Sequence, residues 1–131
     1  MICADTSVFV AMMEGEEGSD VEAVAEALRQ RALVFAPVVI TELLSAPALT
    51  ESLQVVLLQV PRLEITPGYW ERAGVLRRKL MRHRYRPKLA DTLIAQSCLD
   101  HQVPLVTRDR DFSAFQRLAG LRLLAGPAQV Q

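Results

Sequence analysis

The chain has 131 residues, half of them hydrophobic and 23% charged, with 15 acidic and 15 basic side chains and a net charge of zero. That length suits one domain with a real core, and the composition excludes a disordered or collagen-like chain. No apolar stretch approaches the roughly 18 residues of a membrane span. The N-terminus lacks the basic and apolar regions of a signal peptide, so a cytoplasmic protein is expected.

In chain order, Met1–Ala4 reads as a short buried strand and Asp5-Thr6-Ser7 as a strand-to-helix turn. Thr6 or Ser7 is then positioned to cap a short helix over Val8–Met12. A polar loop, Glu14–Gly18, leads to a helix over Asp20–Arg31 with Ser19 as its cap and Val21, Val24, Ala25 and Leu28 at helical spacing. Leu33–Ala36 is a second buried strand. Pro37 starts a helix that carries Glu42 and ends at Pro47, and Ala48–Gln59 forms another.

Leu63–Thr66 reads as a third strand, followed after Pro67 and Gly68 by a helix to about Arg84. Ala73, Leu76 and Leu80 form its apolar stripe; Arg78, Lys79 and Arg82 fall opposite, and Arg77 borders the stripe. Leu89–His101 is a helix with Asp91 in its first turn, on one face with Ile94, Ala95 and Cys98. Pro104–Thr107 is a fourth strand, Phe112–Leu118 a short helix and Leu121–Leu124 an edge strand. Strands alternating with helices indicate an α/β fold with a central parallel sheet of about four to five strands flanked by helices. Cys3 and Cys98 read as reduced core thiols, since two cysteines without Cys/His spacing make a poor disulfide or metal signal.

Four acids stand out because each lies beside an apolar run. Asp5 follows the first strand, Glu42 interrupts Val38–Leu44, Asp91 opens Leu93-Ile94-Ala95, and Asp109 follows Pro104–Thr107. Buried charges are paired or bind metal, and sites in open α/β sheets form at the carboxyl ends of strands. Four carboxylates converging there without His or Cys would suit one or two Mg²⁺ or Mn²⁺ ions, which activate water and stabilise a phosphodiester leaving group. Charge is also unevenly placed: residues 1–28 hold seven acids and no Lys or Arg, while residues 72–88 hold eight of the fifteen basic side chains. A basic stretch of this kind permits a polyanionic partner, although taken alone a solvated helix face is the better account of it.

Taken with their order and spacing, Asp5-Thr6-Ser7, Thr41-Glu42-Leu43, Leu89–Ala95 and Thr107–Phe112 make the whole chain resemble a PIN domain. This is the ribonuclease fold used by VapC-type toxins of prokaryotic VapBC toxin–antitoxin pairs. The resemblance implies a single PIN-like domain over residues 1–131 and a Mg²⁺- or Mn²⁺-dependent endoribonuclease. It implies an RNA substrate, a homodimer, and a cognate antitoxin whose tail covers the active groove. Carried over by position, Asp5, Glu42, Asp91 and Asp109 are the catalytic and metal-binding quartet. Thr6 and Ser7 are hydroxyls that hold a carboxylate or water, Thr107 supports the turn, and Asp111 either assists the metal or caps the Phe112 helix, the cap being preferred. Arg78, Lys79, Arg82, Arg84, Arg86 and Lys88 would bind the nucleic-acid backbone.

Each acid also has an ordinary explanation. Asp5 could be a helix cap, Glu42 could pair with Arg108, Asp91 could complement a helix dipole, and Asp109 and Asp111 could be turn residues. His83 and His101 read as surface residues, and Tyr69 and Trp70 as core or interface packing rather than base-stacking groups. A phospho-receiver domain would need paired acids after the first strand, and an Asp-x-Asp phosphatase a second acid where Ser7 stands. An inactive interaction module and a housekeeping RNA-processing nuclease are the remaining alternatives. Asp5→Asn should abolish cleavage and leave the metal-free protein slightly more stable, because clustered carboxylates repel one another.

Overall fold

The computed structural model describes residues 1–124, so residues 125–131 of the expected domain lie outside it. Three short parallel strands form the centre: β1 (Ile2–Ala4), β2 (Leu33–Val34) and β3 (Leu105–Val106), in the spatial order β2-β1-β3. Ile2 lies opposite Leu33, and Cys3 opposite both Val34 and Leu105. The chain leaves β1 toward β2 and later returns to its other side as β3. The carboxyl end of β1 therefore lies at the point where the winding reverses, where open α/β sheets form their crevice.

Single parallel bridges extend the sheet at both edges, Phe35 to Arg62 and Leu105 to Leu123. The strands expected at Leu63–Thr66 and Leu121–Leu124 shrink to these contacts. At the first edge, Phe35 donates its N–H to the Pro61 carbonyl and accepts from Leu63. Pro61 has no N–H to continue a ladder, and Glu64 and Ile65 turn outward into solvent. At the other edge, Leu105 donates its N–H to the Arg122 carbonyl and accepts from Leu124, the last of the described residues.

Among the described residues, seven helices surround the strands: α1 (Thr6–Met13), α2 (Ser19–Arg29), α3 (Pro37–Leu44), α4 (Glu51–Gln59), α5 (Tyr69–Arg82), α6 (Leu89–His101) and α7 (Ser113–Ala119). Several ends differ from expectation for identifiable reasons. Asp5, rather than Thr6 or Ser7, caps α1 by accepting the Val8 N–H, which leaves both hydroxyls for other partners. Gly18 rather than Ser19 occupies the cap position of α2, at φ 148°, a conformation that favours glycine. Thr50 caps α4, so that helix starts three residues later than expected. The segment before α7 is a 3₁₀ turn, Arg110–Phe112, capped by Asp109.

A continuous core joins the strands to the helices, with Phe9, Phe35, Phe112, Phe115, Leu33, Leu43 and Leu57 among its fully enclosed side chains. Ala73, Leu76 and Leu80 of α5 are buried as their spacing predicts, and Ile94, Ala95 and Cys98 bury the inner ridge of α6. Cys3 and Cys98 are free, buried thiols. Tyr69 is buried and donates its hydroxyl to the Leu93 carbonyl, but Trp70 beside it is 60% exposed and is not core packing.

Candidate active site

Asp5 sits at the centre of the reversal because β1 delivers it there, and it is buried. Its Oδ1 accepts from the Ser7 hydroxyl at 2.7 Å and from the Val8 N–H at 3.2 Å. Its Oδ2 accepts from the Thr107 hydroxyl at 2.5 Å, across the β1–β3 boundary. Burial raises the Asp5 pKa, these three hydrogen bonds act against the rise, and the nearby Asp109 adds to it.

The next strand supplies the adjoining turn. Thr107 accepts the Asp109 N–H on the same oxygen that donates to Asp5, 2.9 Å away. Asp109 in turn accepts the Asp111 N–H at 2.9 Å and thereby starts the 3₁₀ turn. The capping role expected of Asp111 thus belongs to Asp109. The Asp111 carboxylate instead joins Asp91 and Asp109, with one oxygen from each of the three lying within 4.8 Å of the others.

Glu42 comes to the same side on α3 and accepts the Thr6 hydroxyl at 2.7 Å. It does not pair with Arg108, whose guanidinium lies against Asp20 and Glu16. Asp91 is placed by the first turn of α6, directly above its buried ridge. Its Oδ2 is buried and has no hydrogen-bond partner among the described residues. Burial raises its pKa most, and the charges of Asp109, Asp5 and Glu42 reinforce the rise against the opposing Lys88, carrying it to about 6. Asp5, Glu42 and Asp109 therefore all lie close enough to act on Asp91, although Asp5 and Glu42 lie outside the tight group of three ligand atoms.

The basic residues divide. Arg78 and Arg82 line a groove of about 520 Å³ with Gly74, Arg77, Met81 and Leu89, and neither makes an ion pair among the described residues. Lys79 reaches the other way and donates to the Leu118 carbonyl at the end of α7. Lys88 occupies the cap position of α6 beside Asp91, and Arg84 stands in the left-handed region at φ 70°.

Sequence reasoning missed Asp20, which is completely buried against Arg108. In the sequence it is one of two acids in the first turn of α2, and nothing there separates it from the exposed Glu22. Burial works to raise its pKa, but the hydrogen bonds and charge of Arg108 outweigh that and hold it below the usual carboxylate range.

A PIN domain model matches residues 2–118, so the chain belongs to the PIN domain family. Solved structures agree on the fold. VapBC2 from Rickettsia felis, bound to a DNA fragment from its promoter, is 21% identical at a TM-score of 0.72, covering 95% of this chain and 98% of that one. FitAcB from Neisseria gonorrhoeae is 19% identical at 0.70, covering 99% and 100%. VapBC-5 from Mycobacterium tuberculosis, a member of the VapBC family of toxin–antitoxin systems, is 23% identical at 0.65, covering 94% and 96%. No curated protein matches the chain by sequence. No helix among the described residues is long and apolar enough to cross a membrane.

Proposed function

We propose that the chain is a divalent-metal-dependent endoribonuclease and the toxin of a VapBC-type pair. The observation that carries this reading is the unpartnered, buried Oδ2 of Asp91 among three converging carboxylates. An unsatisfied buried acceptor surrounded by like charges is costly, and a hard cation relieves both costs at once.

The donor set fits such an ion. It is all oxygen, with no Cys or His in the group, as Mg²⁺ and Mn²⁺ prefer. Asp91, Asp109 and Asp111 would hold it directly. Asp5 and Glu42 would contribute charge and reach it through the waters that Mg²⁺ retains. When bound, the ion supplies Lewis-acid polarisation of a phosphodiester and lowers the pKa of a water. The protein's own part is orientation: Thr107 and Ser7 fix the Asp5 carboxylate, and Thr6 fixes Glu42. Arg78 and Arg82 would hold the RNA backbone along the groove that Leu89 also lines, two positions before Asp91 in the chain.

The test is cleavage of total cellular RNA by wild type and Asp5→Asn, with Mg²⁺ or Mn²⁺ and with excess EDTA. Wild type should cut only with metal, and Asp5→Asn not at all. Equal cleavage by both, or cleavage that persists in EDTA, overturns the reading. Metal binding without cleavage by wild type would instead indicate an interaction module of this fold.

The neighbours named for toxin–antitoxin systems support an antitoxin partner, and the exposed Val55 and Leu58 of α4 support a further interface. A homodimer and an antitoxin complex therefore complete the proposal. Light scattering should give a dimer at micromolar concentration and a larger species with a small antitoxin encoded in the adjacent reading frame; a strict monomer in both would count against it.

A further inference from the structure

The turn that carries Asp109 is anchored from outside the acid cluster by one side chain. Arg108 sends Nε to Asp20 Oδ2 at 2.5 Å and Nη2 to Asp20 Oδ1 at 3.2 Å. Its Nη1 donates to Glu16 at 2.9 Å, and Nη2 also donates to the Glu17 carbonyl at 2.7 Å. Both carboxylate oxygens of the buried Asp20 are thus engaged, and the guanidinium is held on three partners from the α1–α2 loop and the start of α2. A planar fork of this kind fixes direction as well as distance.

The main chain of Arg108 belongs to the site itself. Its N–H donates to Ser7 Oγ at 3.3 Å, and Ser7 donates to Asp5. On one side Thr107 donates to Asp5, and on the other Asp109 donates its N–H to Thr107. Rotation of this peptide would disturb both acids together.

We propose that Asp20 and Arg108 are positioning residues, holding the Thr107–Asp109 turn so that Asp109 stays opposite Asp91 and Asp5 keeps its hydroxyl partners. The consequence for metal binding rests on the metal-site reading above; the anchoring of the turn does not.

Charge alone predicts the opposite sign. A guanidinium near an acid cluster repels a divalent cation, so removing it would tighten metal binding if it acted only through its field. Removing a positioning group weakens binding instead, by about 10–100-fold where outer-shell partners have been deleted.

The experiment measures Mn²⁺ binding by calorimetry and amide hydrogen exchange of the metal-free protein for wild type, Asp20→Asn, Arg108→Ala, Arg108→Lys and the double variant Asp20→Asn/Arg108→Ala. Asp20→Asn and Arg108→Ala should each weaken Mn²⁺ binding by about 10–100-fold. The double variant should be little worse than either, because the pair acts as a unit. Arg108→Lys keeps the charge but not the fork, should fall between, and serves as the deciding variant where Asp20→Asn does not fold. In the metal-free protein the Arg108 and Asp109 amides should exchange at least about ten-fold faster, with the β1 amide of Cys3 unchanged. Tighter Mn²⁺ binding, wild-type behaviour of Arg108→Lys, or unaltered exchange at these two amides overturns the proposal. Absence of Mn²⁺ binding by wild type itself would sink the metal reading, and the exchange data would still decide the anchoring.

Discussion

The two halves of the acid edge are built in opposite ways. On the β1–β3 half, Asp5 receives three hydrogen bonds, and the peptides on either side of Arg108 are tied to Ser7 and to Thr107. On the α6 half, Asp91 has a buried oxygen with no partner among the described residues and three like charges around it. The first half is satisfied by the protein alone. The second leaves that oxygen unsatisfied, and the fold tolerates it because the packing of Ile94, Ala95 and Cys98 holds α6 regardless. A half-buried carboxylate with one enclosed, unpaired oxygen is a debt the core carries, and such perturbed groups concentrate at functional sites.

Equivalent substitutions should therefore have unlike effects on the two halves. On the proposed reading, Asp5→Asn and Asp91→Asn should both remove cleavage, by on the order of 10³-fold or more, since each takes away a negative charge that would hold the cation. Their stabilities should diverge. Asn at Asp5 replaces one accepting oxygen by a donating NH₂, so it loses an acceptor for Ser7, Val8 or Thr107 and costs about 1–3 kcal/mol. The gain in metal-free stability expected from relieving carboxylate repulsion thus moves from Asp5 to Asp91. Thermal unfolding in EDTA checks this, and a stabilised Asp5→Asn with a destabilised Asp91→Asn would reverse the comparison.

Acidity sharpens the same contrast at smaller scale. The folded pKa of Asp91 is raised from 3.8 to about 6, so the folded protein holds this proton more tightly than the unfolded chain. The stabilisation is fully present below about pH 3.8 and is lost as pH rises through about 6. Allowing for solvent screening, metal-free stability should fall by about 1–2 kcal/mol across that window from this group. Saturating Mn²⁺ should reverse the trend, because the ion binds the ionised form. Urea unfolding at stepped pH, with and without metal, measures both slopes. A slope left unchanged in Asp91→Asn would assign the effect to another group.

How much of this the sequence discloses follows from the range of each interaction. Helix α6 is read residue for residue because its ridge repeats at helical spacing and Asp91 interrupts nothing. The edge strands are overestimated because Leu63–Thr66 has strand-like composition, whereas pairing depends on what lies alongside, here only Phe35. The grouping of Asp5, Glu42, Asp91 and Asp109 is legible because strand ends and helix starts in a doubly wound sheet share an edge. The bonding within that group is not. Whether Thr6 meets Glu42, or Arg108 turns to Asp20 rather than Glu42, is settled by contacts between residues 36 and 88 positions apart. Asp111 illustrates the same limit: its acid is evident, but the cap belongs to Asp109 because the turn begins two residues earlier.

The basic residues give the smallest expected effect and the clearest internal control. Arg82 lines the groove beside Arg78, free of ion pairs among the described residues, whereas Lys79 on the same helix is engaged with the Leu118 carbonyl. If RNA follows the groove, Arg82→Ala removes at most about one phosphate contact, lowering affinity a few-fold and reducing the salt slope by about 0.7 on single strands. Lys79→Ala should change neither, since its ammonium already has a partner on the far side of α5. Filter binding of a catalytically inert Asp91→Asn background to labelled RNA, across a series of salt concentrations, separates the two variants without cleavage interfering. An equal loss of slope for both would mean that α5 acts as a diffuse cationic surface and not through one face. A loss for Lys79 alone would move the RNA path to the α7 side of the helix.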